Sequence, residues 1–472
     1  MPPSGNSGGS SADVIGGHSA SAASMDSSFF GHPRGLSTLF FTEMWERFSY
    51  YGMRAFLILY MVHVLKFDDA HAGSIYGTYT GSVWAAAIFG GIIADRWLGQ
   101  YKSVLWGGII IALGHFTLAF HALPFFYAGL ALIVVGTGLL KPNVSGIVGS
   151  LYDRNDSRRD AGFSLFYMGI NLGAAIGPII AGYFAQNINW HLGFACAGVG
   201  MTLGLIQYVR GRKYLEPAMA RLDEQRREAA AIEARRRERA AAEDAARRAE
   251  EATYLGFTTV EWKRIAAMGV FFVFAAIFWG AYEQAGSTLN LFGDRFSNNV
   301  IFGWHFPSSW YVSVQATFVI LLAPVFAWIW IKLGPREPST PTKFFLGLFF
   351  IGLSFVLLLV PAYRLQAAPG LKVAPFWLVG CYFIQELGEM CLSPVGLSVF
   401  TKLSPVKIVG TALGIWFLAD AVGNKVAGTA AGFISTAPLP ELFGVIAGVC
   451  LGGALLALIL IKPVKSLMGG VH

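Results

Sequence analysis

The sequence predicts an all-α membrane protein of twelve spanning helices, and three observations predict it. Of its 472 residues 55% are hydrophobic and only 13% charged, where ordinary soluble domains carry about 25% charged residues. Apolar stretches of about 20 residues or more recur along the chain, the length an α-helix needs to cross a hydrocarbon layer about 30 Å thick. A polar insert rich in Ala, Arg and Glu then separates the sixth stretch from the seventh.

Residues 1–35 are rich in Ser, Gly and Ala and lack the basic and apolar regions of a cleaved signal; they read as a disordered cytoplasmic tail. The twelve stretches follow at roughly 36–65, 72–95, 103–122, 125–149, 160–186, 190–209, 264–292, 308–333, 342–361, 375–401, 406–435 and 440–462. They divide the chain into a first set of six helices over 36–209 and a second over 264–462, with a short tail at 463–472. The linker at 210–263 has helix-forming composition and mixed charges at i,i+4 but no sustained apolar seam, so it reads as a cytoplasmic helix or partly disordered connector. With the N-terminus inside, inner loops and tails hold 27 of the 35 Lys and Arg, and the outer loops hold four, Lys66, Arg295, Arg364 and Lys372. The excess of basic residues puts both termini on the cytoplasmic side. The net charge of +7 is therefore a matter of topology and gives no reason to expect a nucleic-acid partner. Arg235, Arg236 and Arg237 form the one run that an acidic lipid or nucleic acid would find, and a solvated helix face explains them as well. Four cysteines, Cys196, Cys381, Cys391 and Cys450, are scattered through apolar segments without metal or redox spacing and read as small core residues.

The first span carries four charges, Glu43, Glu46, Arg47 and Arg54. Insertion of an Arg, Lys or Asp at a helix centre costs about 2.5 to 3.5 kcal/mol each, so the four without compensation cost on the order of 10 kcal/mol. At about 100° per residue Glu43, Arg47, Tyr50 and Arg54 share one face, flanked by Glu46 and Tyr51. Two readings follow: a local Glu43 and Arg47 pair at i,i+4 that only fixes packing, or carboxylates among arginines in a water-lined cavity that carry protons and hold a zwitterion. Lys141 lies deep in the fourth span, or alternatively near enough to its end to reach the interface. Tyr167 and Asn171 share a face of the fifth span, an arrangement that also serves as interhelical glue, and Tyr79 in the second is ambiguous alone. The second set of spans adds Trp279, Glu283 and Gln284, then Gln315, then Glu386, Glu389 and Ser393, then Trp416, Asp420, Asn424 and Lys425. Carboxylates in one set can face cations in the other, the chemistry that holds an amine at one end of a ligand and a carboxylate at the other.

Gly91, Asp95, Arg96 and Gly99 fall in the short inner loop after the second span, with Lys102 beyond. This pattern resembles the loop signature of the major facilitator superfamily. It implies a gating and structural loop, and two pseudo-symmetric six-helix bundles that rock about a central cavity.

Three longer motifs sharpen the resemblance. E-x-x-E-R-F-x-Y-Y-G at Glu43 to Gly52, F-Y-x-x-I-N-x-G at Phe166 to Gly173 and S-P-V-G-L-S at Ser393 to Ser398 together resemble the proton-dependent oligopeptide transporter family, over roughly residues 30 to 465. The resemblance implies proton-coupled import of di- and tripeptides across the cell membrane, with protons as the coupling ion; no cofactor or metal is expected, and a monomer is the expected state. It assigns proton coupling to Glu43, Glu46, Arg47, Lys141 and Glu283. It makes Lys141 and Arg54 ligands for the peptide carboxylate, and pairs Arg54 with Glu283 to close the outer side. Glu389, with Asn171, would receive the peptide amino terminus, and Tyr50, Tyr79, Tyr167, Trp279, Gln315, Ser393 and Trp416 would line the pocket. Two departures stand out: many bacterial relatives carry two extra membrane helices where this insert is too polar to span, and Gln315 stands where relatives often carry Asn. Transport of another small solute on the same scaffold is the nearest alternative, and a receptor-like role for the insert a more distant one. An intramembrane enzyme is disfavoured because no H-E-x-x-H, paired Asp or G-x-S-x-G elbow occurs in a suitable setting.

Overall fold

A computed structural model describes residues 28–152, 156, 158–222, 224, 257–405 and 408–469. The tail to residue 27, the insert from 225 to 256 with its arginine run, and residues 470–472 lie outside the described residues. The chain forms helices α1 (Arg34–His63), α2 (Asp69–Ile93), α3 (Gln100–Leu118), α4 (Leu123–Ser150), α5 (Arg159–Tyr183) and α6 (Trp190–Arg210). After the insert come α7 (Thr259–Tyr282), a short α8 (Thr288–Phe296), α9 (Tyr311–Leu333), α10 (Thr340–Ala367), α11 (Phe376–Leu403), α12 (Val409–Ala431) and α13 (Leu439–Met468). A two-stranded antiparallel hairpin, β1 (Val300–Ile301) and β2 (Trp304–His305), decorates the loop between α8 and α9.

Helix ends follow local chemistry. The Asp68 carboxylate accepts the His71 amide at 2.8 Å to cap α2, and Asn189 caps α6 through His191. Thr258 and Glu261 close a reciprocal capping box at the start of α7. Prolines at the first helical positions open α4, α10 and α13, where the missing amide is no loss. A turn of π-helix, Ala94–Leu98, ends the second span, and Gly99 with φ +73° turns the chain into α3, a backbone conformation that penalises any residue with a Cβ.

Among the described residues nine helices are long and apolar enough to cross a membrane. The remaining long helices, α1, α11 and α12, each carry buried acids: Glu43 and Glu46 with Arg47 and Arg54, then Glu386 and Glu389, then Asp420. Large apolar side chains on α9 and α13, among them Leu321, Trp328, Ile331, Val445 and Ile459, are exposed. A fully hydrogen-bonded helix with an apolar outer face is what a bilayer accepts, and the protein is a multi-pass membrane protein.

Helices α1 to α6 pack on one another, as do α7 and α10 to α13, while α9 lies on α11 and also on α5. The two sets meet chiefly where α2 lies along α12 and α5 along α9. Gly73, Gly77 and Gly81 of α2 face the α12 backbone at Gly428, Asn424 and Ala421. The largest apolar core runs along the second set and crosses to the first where α1 finishes and α2 begins, joining Met53, Leu57 and Tyr76 to Leu289, Phe292 and Phe443. A second core belongs to the first set alone and holds Leu36, Leu39, Leu140, Ile147, Leu151 and Tyr208 at the opposite end.

Two expectations change. The seventh span is not one helix over 264–292: it breaks into a 3-10 turn, Glu283–Gly286, before α8. The break brings the chain so close to α1 and α2 that a Cβ on Gly286 would overlap the Tyr76 hydroxyl and lie 3.2 Å from the Arg54 side chain. The beginning of the insert is also packed rather than free. Residues 212–222 are helical, Leu215 and Ala218 are buried in the second core, and Arg221 donates to the Leu151 carbonyl at 3.3 Å. A few apolar side chains sufficed, because the start of α1 and the end of α4 present an apolar surface that they cover.

Candidate functional site

On α1 the helical repeat brings Glu43 and Arg47 onto one face, with Arg47 Nε 3.7 Å from Glu43 Oε1. Arg47 nevertheless makes its close, two-pronged contact with the adjacent carboxylate, Glu46. Glu43 turns instead to α4, where Lys141 Nζ lies 3.2 Å from its Oε1. All three α1 groups are essentially sealed from solvent, whereas the Lys141 side chain is 21% exposed. Burying one such ion alone costs several kcal/mol, and the alternation of sign across α1 and α4 is what offsets it. Glu43 Oε2 is left buried without a partner.

Aromatic rings frame these cations. The Arg47 guanidinium lies 4.8 Å from the Tyr50 ring centre and 5.7 Å from that of Tyr51, and Lys141 Nζ lies 5.8 Å from Trp84, within the range where a ring face attracts a cation. Two turns beyond Arg47 along α1, Arg54 is clamped between the sets of helices. Its Nε donates to the Tyr76 hydroxyl at 2.6 Å, and its Nη2 pairs with Glu283 in the turn that interrupts the seventh span. The same end of the molecule holds Asp69 of α2 against Arg295 of α8, with the His63 and Asp294 pair at 2.7 Å and Asn290 donating to the Ala55 carbonyl at 2.6 Å. Gln186 and Ser308 meet at 2.9 Å beside them.

The second set of helices holds its acids differently. Glu386 and Glu389 sit one turn apart on α11, buried, and the Tyr282 hydroxyl of α7 lies 2.9 Å from Glu386 Oε1 and 2.6 Å from Glu389 Oε2. Asp420 of α12 takes the Asn424 amide at 2.7 Å and lies within electrostatic reach of Arg54, Lys141 and Glu389. Tyr167 of α5 is likewise within reach of Glu389 and Glu386. Carboxylates of one set therefore face the cations and phenols of the other.

Most of the residues singled out from sequence converge here. Tyr50, Tyr79 and Trp279 are buried, and the hydroxyls of the first two and the indole nitrogen of the third have no protein partner. Gln315 is buried and reaches Gln385 at 3.5 Å. Trp416 packs on Phe400 with ring centres 5.4 Å apart and leaves no room for a Cβ at Gly396. Asn171 donates to the Tyr167 backbone carbonyl at 3.0 Å, so the two form a local helical contact, and no hydrogen bond joins Asn171 to Glu389. Ser393 is half-buried. Gly91, Asp95, Arg96 and Gly99 lie apart from the cluster, with Asp95 and Arg96 exposed in the π-helical turn after α2. Sequence reasoning passed over Tyr76, Trp84 and Tyr282. Each is an ordinary aromatic in an apolar run; the only signal was that Tyr76 precedes Tyr79 by one turn and Tyr282 adjoins Glu283.

A multi-pass membrane protein whose buried acids and bases converge between two sets of helices, with ion pairs joining the sets at one end, is built as a transporter. The chain matches the model of the POT family over residues 101–222 and 247–445, and it belongs to that family. It is 42% identical to the uncharacterized transporter YclF of Bacillus subtilis (strain 168), over 94% of this chain and 96% of that protein. It is 37% identical to the peptide transporter YePEPT of Yersinia enterocolitica, over 94% of this chain and 97% of that protein. Among solved structures it resembles a mutant of the peptide transporter POT in complex with alafosfalin, with a TM-score of 0.81, 40% identity, and coverage of 94% of this chain and 97% of that one.

Proposed function

We propose that this protein imports di- and tripeptides as a proton-coupled symporter working by alternating access. In this reading twelve spans form two pseudo-symmetric six-helix bundles, 36–209 and 264–462, joined by the cytoplasmic linker 210–263, with both termini cytoplasmic. It works as a monomer in the cell membrane, with protons as coupling ion and no cofactor. The observation that carries the reading is the network of Glu43, Glu46, Arg47 and Lys141, two turns from an Arg54 that pairs with Glu283 across the bundles. An ion network confined to one bundle can load a proton without moving, and an ion pair between bundles must break for them to rock.

Glu43 and Glu46 are the proton acceptors, each held beside a cation that keeps the deprotonated form tolerable. Lys141 and Arg54 offer charge-assisted hydrogen bonds to the peptide carboxylate, and Glu389 offers one to the amino terminus, with Asn171 beside it. Tyr50, Tyr79, Tyr167, Trp279, Gln315, Ser393 and Trp416 form the walls. The longer amide of Gln315 narrows its side. The closed end, where α1 finishes, is then the outer side, and Gly91, Asp95, Arg96 and Gly99 form the inner loop that braces rocking.

Uptake of a labelled dipeptide into liposomes containing the purified protein tests this. Accumulation should require an inward proton gradient and collapse with a protonophore. Accumulation that ignores the gradient refutes proton coupling, and failure to take up any dipeptide while another small solute enters refutes the peptide assignment.

A further inference from the structure

The acids of α11 hold a feature that the transport cycle above does not use. Glu386 is fully buried, and Glu389 is 7% exposed. Spaced at i,i+3 on one helix, their carboxyl groups are neighbours. The Tyr282 oxygen lies within hydrogen-bond distance of both, at 2.9 and 2.6 Å. A phenol has a single O–H and so donates to one of them only. The other contact holds two acceptor oxygens together unless that carboxyl group brings its own proton and donates back to the phenol oxygen. Glu386 Oε2, moreover, is buried with no partner at all. An ionised carboxylate oxygen stranded in this way pays the full cost of desolvation, and a protonated carboxyl group pays far less.

Among the described residues no Lys or Arg is hydrogen-bonded to either carboxyl group; Arg54 and Lys141 act on Asp420, and Arg47 and Arg54 on Tyr51. Around the pair stand Tyr282 and Trp279 from α7, Tyr167 and Asn171 from α5, Tyr51 from α1, Asp420 from α12, and Gln315 from α9 through Gln385. Lys343 of α10 is paired with Glu337. Among the described residues neither Glu386 nor Glu389 forms a salt bridge. Two like charges at this distance without a counter-ion do not both ionise.

We propose that Glu386 and Glu389, bridged by Tyr282, form a second proton-binding site, which holds one shared proton in the peptide-free protein and releases it to water when the peptide ammonium docks. The docking clause rests on the peptide reading above. The charges balance without movement of any other group. Empty, the pair carries one carboxyl group and one carboxylate, a net charge of −1. Loaded, two carboxylates and one ammonium again sum to −1. The ammonium has three N–H donors, enough to serve both carboxylates. The second bundle therefore presents the same charge to the rocking interface whether or not peptide is bound, so the empty carrier resets without a second uncompensated buried charge.

The proton is tested first without ligand. Infrared difference spectra of the peptide-free wild type minus Glu386→Gln should show a protonated carboxyl band that the variant lacks. Glu386→Met, which replaces the group with apolar bulk, should remove the same band, and its persistence in both variants overturns the site. Release is tested by calorimetry of dialanine binding at fixed pH in two buffers of different ionisation enthalpy. Wild type should release about one more proton per peptide than Glu386→Gln, while N-acetyl-dialanine should show no such difference between the two proteins. Equal release by both proteins overturns the coupling to the ammonium. A wild type that shows the carboxyl band but binds no dipeptide upholds the proton site and refutes the peptide reading instead.

Discussion

The two sets of helices bury their charges in opposite ways. In the first, Glu43, Glu46, Arg47 and Lys141 alternate in sign, with contacts of 3.2 and 3.7 Å and the close Glu46 and Arg47 pair. In the second, Glu386, Glu389 and Asp420 are served by a phenol and an amide. The difference teaches how each region meets a proton or a ligand. A paired carboxylate is tolerated as an anion and accepts a proton at the expense of its ion pair, so protonation frees a cation for another partner. An unpaired carboxylate is tolerated only when something positive arrives, be it a proton or an amine. The first arrangement suits coupling, and the second suits recognition of a cation.

The largest effect should come from breaking the paired side. Glu46→Gln leaves Arg47 with only the longer contact to Glu43, and the cluster can no longer exchange its charge for a proton. Concentrative dipeptide uptake into liposomes should fall to background, while counterflow exchange, which needs no net proton movement, persists. Accumulation against a peptide gradient by this variant would show that the paired cluster is not the coupling site.

Next in size is the pair that spans the two regions. Removing one partner of a buried ion pair costs about 3 to 5 kcal/mol, so Glu283→Gln should favour opening of the end where α1 finishes by on the order of 100-fold or more. A cysteine introduced at Asn290, whose amide bonds the Ala55 carbonyl across that end, should react with a water-soluble thiol reagent much faster in Glu283→Gln than in the otherwise wild-type protein. Equal rates would mean that the neighbouring Asp69 and Arg295 contact keeps that end closed without the Glu283 pair.

Ligand polarity sharpens the comparison further. A charge-assisted hydrogen bond contributes roughly 1.5 to 3 kcal/mol, so blocking one peptide terminus should weaken binding by about 10- to 100-fold. Amidating the dipeptide carboxylate should matter much less in Lys141→Ala than in wild type. Acetylating the amine should matter less in Glu389→Gln and keep its full effect in Lys141→Ala. The readout is a double cycle of affinities at fixed pH, and simple additivity at both ends would separate these residues from the peptide termini.

The smallest effect belongs to the insert. Replacing 225–255 with a flexible segment should leave transport kinetics within about threefold, less than about 1 kcal/mol, because the ionic groups of both regions lie elsewhere. The cut has to spare Leu215 and Ala218, which are buried against Leu36 and Leu151. Complete loss of uptake by correctly inserted protein would assign the insert a gating role.

Much of this was legible along the chain. Hydrophobic length marked the helices, because a backbone in lipid has no alternative to satisfying itself. The 3.6-residue repeat put Glu43 and Arg47 on one face, because neighbours at i,i+4 are set by the helix alone. Charge inside an apolar span drew attention to Arg54, Glu283 and Glu389. The repeat did not say that Arg47 would close on Glu46 while Glu43 reached Lys141, 98 residues away. Nor did it say that Tyr76 would brace Arg54, or that Tyr282 would lie between two carboxyl groups. Those partners come from different helices, and their meeting depends on how each helix is rotated and how closely its backbone approaches the next. The break at Glu283–Gly286, where the absent Cβ admits Tyr76, is such an approach. Sequence determined which groups have to be buried and which face of its helix each occupies, since both are local properties of the backbone. Only the packing of one helix on another decided which buried charge found a counter-ion and which was left to wait for one.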